Sequence, residues 1–108
     1  MTDADVVLAQ GETPEEPLRM DLTVDGDRVS LSDVERVTLL IKTYHGTAAE
    51  LDCRVRANGS VIHEWDDGET DLETGQYGLV ARVEYRDGRT RIFPNERDKR
   101  PTLTITEI

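Results

Sequence analysis

From Leu18 to Ile105 the apolar residues of this chain recur at every second position, with no sustained spacing of three and four. A period of two sends alternate side chains to opposite faces of a strand, so the chain is committed to half-buried β-structure. Leu18, Met20, Leu22 and Val24 alternate with Arg19, Asp21 and Thr23, and Val29 and Leu31 form a short extended piece. Val37, Leu39, Ile41 and Thr43 make a second full run, and Leu51, Cys53, Val55 and Ala57 a third. Asn58-Gly59 is a two-residue hairpin signal that turns the chain into Val61, His63 and Trp65. Tyr77, Leu79, Ala81, Val83 and Tyr85 make the longest run, and Asp87-Gly88 reverses it into Thr90 to Phe93, where Pro94 stops the strand. Thr102 to Thr106 supplies a last, β-branched strand.

Turn signals every 8–12 residues between short strands predict an all-β fold, an immunoglobulin-like antiparallel β-sandwich of about seven strands. A small barrel is the second choice. The one helix signal, Ser32-Asp33-Val34-Glu35, has room for a single turn. Residues 1–17 differ from the rest: Asp3, Asp5, Glu12, Glu15 and Glu16 stand without a base, and Pro14 and Pro17 interrupt them. The expected organisation is therefore an acidic extended N-terminal arm, 1–17, and a sandwich, 18–108. Within the arm, Val6, Val7 and Leu8 are too few to fold alone and are expected to dock on a neighbouring subunit.

Charge narrows the partners. With 23 acids against 13 bases the net charge is −10, which repels nucleic acid and anionic lipid. No apolar run reaches the 18 or so residues of a membrane span, and Met1 to Asp5 lacks the basic start of a signal peptide. Eleven of the bases are Arg and two are Lys, a balance that reads as a protein built for high salt.

Candidate chemistry is sparse. His63 is in phase with Val61 and Trp65, which suits a core residue, and His45 precedes Gly46 in a loop. Cys53 is the only cysteine and alternates with apolar neighbours, so neither a disulfide nor a reactive thiol is expected. No G-x-S-x-G elbow or phosphate-cradling glycine cluster exists, and neither an enzyme nor a cofactor is expected. Asp66 to Glu73 packs five acids into eight residues, making Asp66, Asp67, Glu69 and Asp71 candidate ligands for a hard cation, though without EF-hand spacing. Arg82, Arg86, Arg89 and Arg91 concentrate positive charge on an acidic chain, either to meet a partner's acids or to pair across the sheet with residues such as Glu84.

The second half also follows an order seen in a known family. Val61 to Trp65, the loop Asp67-Gly68-Glu69-Thr70-Asp71, Gly75-Gln76-Tyr77, Ala81 to Tyr85, Asp87-Gly88 and Ile92-Phe93-Pro94-Asn95 follow one another. Upstream, Asp25-Gly26 precedes Val29-Ser30-Leu31-Ser32 and the run Val37 to Lys42. This resembles the BppU-type immunoglobulin-like domain of phage upper-baseplate proteins, over residues 18–108. The chain departs from it at Arg28, where proline is usual, at Ser32 to Glu35, and at Asp71 to Thr74. The resemblance implies a non-enzymatic virion structural protein of a tailed virus, a capsid decoration or a tail or baseplate component. With the charge balance it implies a virus of a halophilic archaeon. Its partners would be other virion proteins and further copies of itself, in a virion assembled in the host cytoplasm. An expectation of a different class is an immunoglobulin-like binding module for carbohydrate or a cation, built on the Asp66–Glu73 loop.

A net charge of −10 on a 12.2 kDa chain must be screened. The melting temperature is expected to rise between about 0.1 M and molar salt, where the Debye length drops from roughly 10 to 3 Å. A melting temperature that is flat across this range would show that self-repulsion does not limit stability.

Overall fold

The computed structural model describes residues 6–24, 27–56, 60–94 and 101–107. Asp25-Gly26, Asn58-Gly59, Asp3, Asp5, Arg97 and Arg100 lie outside them. All regular structure among the described residues is β. The strands are β1 (Val6–Ala9), β2 (Leu18–Asp21), β3 (Thr23–Val24), β4 (Asp27–Arg28) and β5 (Val34–Lys42). They continue as β6 (Thr47–Val55), β7 (Ser60–His63), β8 (Gly75–Tyr85), β9 (Thr90–Phe93) and β10 (Thr102–Thr106).

β5 and β8 are the axis, antiparallel from Val34↔Tyr85 to Lys42↔Gly78. β6 flanks β5 with Leu39↔Leu51 in register. On the other side of β8, β9 and β10 lie end to end, with Ala81↔Phe93 and Leu103↔Tyr77. Past Cys53 the sheet folds over: β6 hands its end, Arg54 and Val55, to β7, and β7 pairs with β2. The strand order is β1-β10-β8-β5-β6-β7-β2, a two-layered β-sandwich with β3-β4 as a separate hairpin. This is the all-β, mainly antiparallel sandwich expected from the alternation. The single parallel pair of the main sheet joins β1 to β10.

The alternation is converted directly into burial. Val37, Leu39 and Ile41 of β5 and Leu79, Ala81 and Val83 of β8 form one core with Met20, Val61, Trp65, Tyr77, Phe93 and Leu103. Asp87-Gly88 turns as expected: Gly88 sits at φ 93°, where a Cβ is disfavoured, and its N–H donates to Tyr85 O at 3.0 Å.

Three local expectations are corrected. Ser32 to Glu35 forms no helical turn, because Val34 is needed on the core face and opens β5. The run Leu18 to Val24 is broken at Leu22, whose carbonyl accepts the Val29 N–H at 2.9 Å, so that the chain leaves β7 and enters the β3–β4 hairpin. Finally, Val6–Ala9 is a strand of the same sheet: Leu8 is buried in the core and the segment pairs with β10 of its own chain.

Trp65 contacts this core from the end of β7 and is 8% exposed. Trp65→Ala is expected to cost about 3–5 kcal/mol in urea unfolding. A loss below about 0.5 kcal/mol, the size of a surface substitution, would remove Trp65 from the core.

Candidate functional site

The acidic loop between β7 and β8 is held down from both sides. Thr70 is buried, and its hydroxyl donates to Glu12 O. In return Gly11 N–H donates to Thr70 O at 3.1 Å, the Gln10 amide donates to Leu72 O at 2.9 Å, and Thr13 Oγ1 donates to Asp67 Oδ1 at 3.0 Å. Residues 10–13, leaving β1, thus form a strap across the loop. Asp66, Asp67 and Asp71 are exposed, whereas Glu69 turns inward to His63. No group of three or more His, Cys, Asp or Glu placed to hold a metal ion occurs among the described residues. The candidate ligands Asp66, Asp67, Glu69 and Asp71 are therefore loop members whose one inward carboxylate is already engaged.

His63 is a core residue with a polar environment of its own. Asp52 O lies 2.7 Å from Nδ1, Glu69 Oε1 lies 2.8 Å from Nε2, and the Trp65 ring meets the imidazole edge-on at 5.0 Å. Glu69 Oε1 also accepts the Asp66 N–H at 2.8 Å. The sequence placed His63 inside but missed Glu69 as its partner, because a contact six residues away is made by the loop and not by the strand period. His45 stands in the exposed turn before β6, edge-on to the Tyr44 ring at 5.3 Å.

Cys53 faces the same region from β6. Burial pushes its thiol up to about 12, the Asp52 and Glu69 charges add to the rise, and a Leu39 backbone hydrogen bond opposes it. Near neutral pH this thiol is protonated and a poor nucleophile.

The arginines divide into two groups. Arg82 pairs across the sheet with Glu50 at 3.0 Å and lies 3.4 Å from Glu84. Arg89 Nε donates to Asp87 Oδ2 at 2.7 Å and its guanidinium covers the Tyr85 ring at 5.4 Å. The Arg89 backbone N–H and then its side chain hold the Asp87 carboxyl below its ordinary value. Arg91 covers the Phe93 ring at 4.8 Å and Arg86 is exposed; neither has a salt-bridge partner among the described residues. Arg91 lies within β9 and Arg86 in the turn that leads to it; β9 pairs with β8 alone among the described residues and exposes Thr90, Arg91 and Ile92. Tyr85 N–H donates to Arg89 O at 2.8 Å, so the antiparallel alternation gives Arg91 and Phe93 the bonds to β8. The N–H and C=O of Thr90 and Ile92 then point outward.

β1 offers a different edge. Its Gln10 N–H donates to Thr106 O at 2.9 Å, which turns Val7 and Ala9 outward. Ala9 N–H donates to the Glu12 carboxylate at 2.7 Å and Ala9 O accepts the Glu12 N–H at 3.1 Å. Glu12 thereby caps the edge at Ala9. Of the apolar residues expected to reach a neighbour, Val6 and Leu8 pack into their own core, and Val7 is 65% exposed.

No family model and no curated protein matches this chain. Among solved structures it is similar to CopC from Methylosinus trichosporium OB3b, at 15% identity and a TM-score of 0.48, over 97% of this chain and 86% of that one. The phage-baseplate resemblance is overturned: no family model, that of a baseplate protein included, and no curated protein matches the chain. With it fall the virion assignment and the capsid-decoration, tail and baseplate roles. The physical reason is visible in the fold. Gly75-Gln76-Tyr77 is the entry of β8, Asp87-Gly88 is the β8–β9 turn, and Phe93-Pro94 is the end of β9. Each element of the shared order is a requirement of strand entry, reversal or termination, and none is particular to one family.

The thiol supplies a test of this region. An unfolded cysteine ionises near 8.5; because the folded value is raised to about 12, the Cys53 contribution to stability is full below the unfolded value and is lost as pH climbs toward 12. Iodoacetamide at pH 8 is expected to leave the folded protein unlabelled and to label it in urea. Cys53→Ala is expected to lessen the alkaline loss of stability. Fast labelling of the native protein would contradict the burial of the thiol.

Proposed function

We propose that this domain is a non-enzymatic binding module that takes an extended, acidic stretch of a partner polypeptide as an added strand along β9. The observation that carries the reading is the outward edge of β9. Thr90 and Ile92 are exposed, Arg91 stands between them and Arg86 in the preceding turn, and neither arginine has a salt-bridge partner among the described residues of a chain of net charge −10. Strand addition draws affinity from main-chain hydrogen bonds and selectivity from side chains beside the edge. A guanidinium offers carboxylates a planar pair of donors, so the selectivity here is for acids. The groups that do chemistry elsewhere support the same reading, since Cys53 is a protonated thiol and both nitrogens of His63 are engaged.

The test uses a fluorescein-labelled peptide alternating Val and Glu, with a Val/Lys peptide as its opposite. The acidic peptide is expected to raise anisotropy saturably, more weakly as salt rises. Ile92→Pro, which removes an outward donor and spares the bonds to β8, is expected to abolish binding. The double substitution Arg86→Glu, Arg91→Glu is expected to switch preference to the basic peptide. Sedimentation of the peptide-free protein shows whether a second copy supplies the strand: an oligomer that Ile92→Pro dissolves identifies it as an occupant. No saturation by the acidic peptide at about 1 mM, a binding free energy near −4 kcal/mol, overturns the reading.

A further inference from the structure

The β8–β9 ladder determines which residues of β9 can bond to an added strand, and on which face each side chain lies. Arg91 stands opposite Val83 and Phe93 opposite Ala81, so both side chains belong to the row that faces the core. Thr90 and Ile92 stand opposite Glu84 and Arg82 in the other row. The outward backbone groups belong to this second row, because Arg91 and Phe93 turn theirs to β8. An added strand therefore bonds to Thr90 and Ile92 and passes Arg91 between them.

The two rows differ in charge. In the core-side row the Arg91 guanidinium rests on the Phe93 ring and has no salt-bridge partner among the described residues. In the outer row Ile92 is 38% exposed, and its β8 neighbour Arg82 is already taken by Glu50 at 3.0 Å and Glu84 at 3.4 Å. Arg86 belongs to neither row: its N–H donates to Asp33 O at 3.0 Å, beside the start of β5. Arg91 is thus the arginine that an added strand meets inside the ladder.

We infer, resting on the strand-addition reading, that β9 takes its partner antiparallel and in one register, with an acid opposite Arg91 and an apolar residue opposite Ile92. In antiparallel pairing Thr90 and Ile92 each exchange both bonds with the residue directly opposite. A short stretch, two residues and the one between them, then meets every outward group. A parallel strand bonds through the residues on either side of the opposite one and needs a longer stretch. Between the Asp87-Gly88 turn and Pro94, β9 has only 4 residues, which favours the shorter match. The same register turns away a second copy of β9. Two-fold pairing would set Thr90 opposite Ile92 and Arg91 opposite Arg91, in a pair without hydrogen bonds whose Cα atoms approach to about 4.5 Å. Like charges so placed destabilise a ladder. Arg91 is the specificity residue, excluding the chain's own edge and admitting a carboxylate.

The experiment titrates the full chain with two N-methylated forms of the labelled Val/Glu peptide and reads anisotropy. In the inferred register the Val amides donate to β9 and the Glu amides point to solvent. Methylating the Val nitrogens is expected to weaken binding about tenfold or more, the loss of two ordinary hydrogen bonds. Methylating the Glu nitrogens is expected to leave the affinity within about twofold. The reverse pattern identifies a parallel partner and overturns the register while strand addition stands. Equal effects overturn the register too, and if both are nil the strand-addition reading goes with it. Arg91→Glu alone is expected to reverse the preference between the Val/Glu and Val/Lys peptides. A reversal by Arg86→Glu instead overturns Arg91 as the specificity residue. Sedimentation of the wild type is expected to show no dimer held by β9, and a dimer that Ile92→Pro dissolves overturns the exclusion of a second copy.

Discussion

The β5–β8 ladder is the constraint on which everything else in the molecule depends. It is the longest pairing in the sheet, and β5 is buried on both faces: Val37, Leu39 and Ile41 on the core side, Thr38 and Leu40 on the other. A strand buried on both faces cannot slip by one residue without moving its core side chains to the opposite layer. With the register of β5 and β8 fixed, β6 is placed by Leu39↔Leu51, and β9 and β10 are placed along the far side of β8. The fold-over at Arg54 and Val55 then brings β7, and so His63 and Trp65, onto the core. The polar cluster at His63 and the open edge of β9 are thus set by one ladder from opposite sides.

Much of this was legible in the sequence because a period of two is a direct image of burial. The runs through Leu39, Cys53, Val61 and Leu79 all became strands, and Trp65, Tyr77, Leu79, Val83 and Phe93 share one core. What the period does not encode is pairing. Nothing in Val6-Val7-Leu8-Ala9 says that it lies parallel to β10, a strand almost a hundred residues away, and it read as an arm seeking a neighbour. Likewise Leu22 continued the alternation while its carbonyl turned to Val29. Glu69 looked like one more acid in an acidic loop, and only the tertiary fold shows that its side chain points inward. The order of motifs that suggested a baseplate protein failed for the opposite reason: strand entry, turn and terminating proline are legible, but they are common to many sandwiches.

An acidic chain with a small core must place its charges with care, and the structure sorts them. Arg19 stands 3.2 Å from Asp21, Arg36 meets Asp52, Arg54 meets Glu64, and Arg82 meets Glu50. Exposed pairs of this kind add little stability, since solvent and salt screen them. Their effect is local neutrality, so that neighbouring strands can lie side by side without repulsion. Against that background Arg56, Arg86 and Arg91, which have no salt-bridge partner among the described residues, depart from the pattern.

The strand edges make the same distinction. A sandwich leaves edges with unpaired backbone groups, and each must be blunted or used. At β1 the end of the edge is capped by Glu12, which takes both backbone groups of Ala9, and Val7 is left outward. At β2 the strand is short, follows Pro17, and carries Arg19 and Asp21 as an internal pair. Along β6, Glu50 and Asp52 are exposed and matched to Arg82 and Arg36, and His63 covers the Asp52 carbonyl. β9 also carries arginine and ends at a proline, devices that discourage indiscriminate pairing. Its Arg91 differs in having no carboxylate partner among the described residues. A compensated charge only guards an edge, whereas an uncompensated one guards it against most strands and admits those that bring the missing carboxylates. By that criterion β9 is the edge that the proposed acidic strand would take.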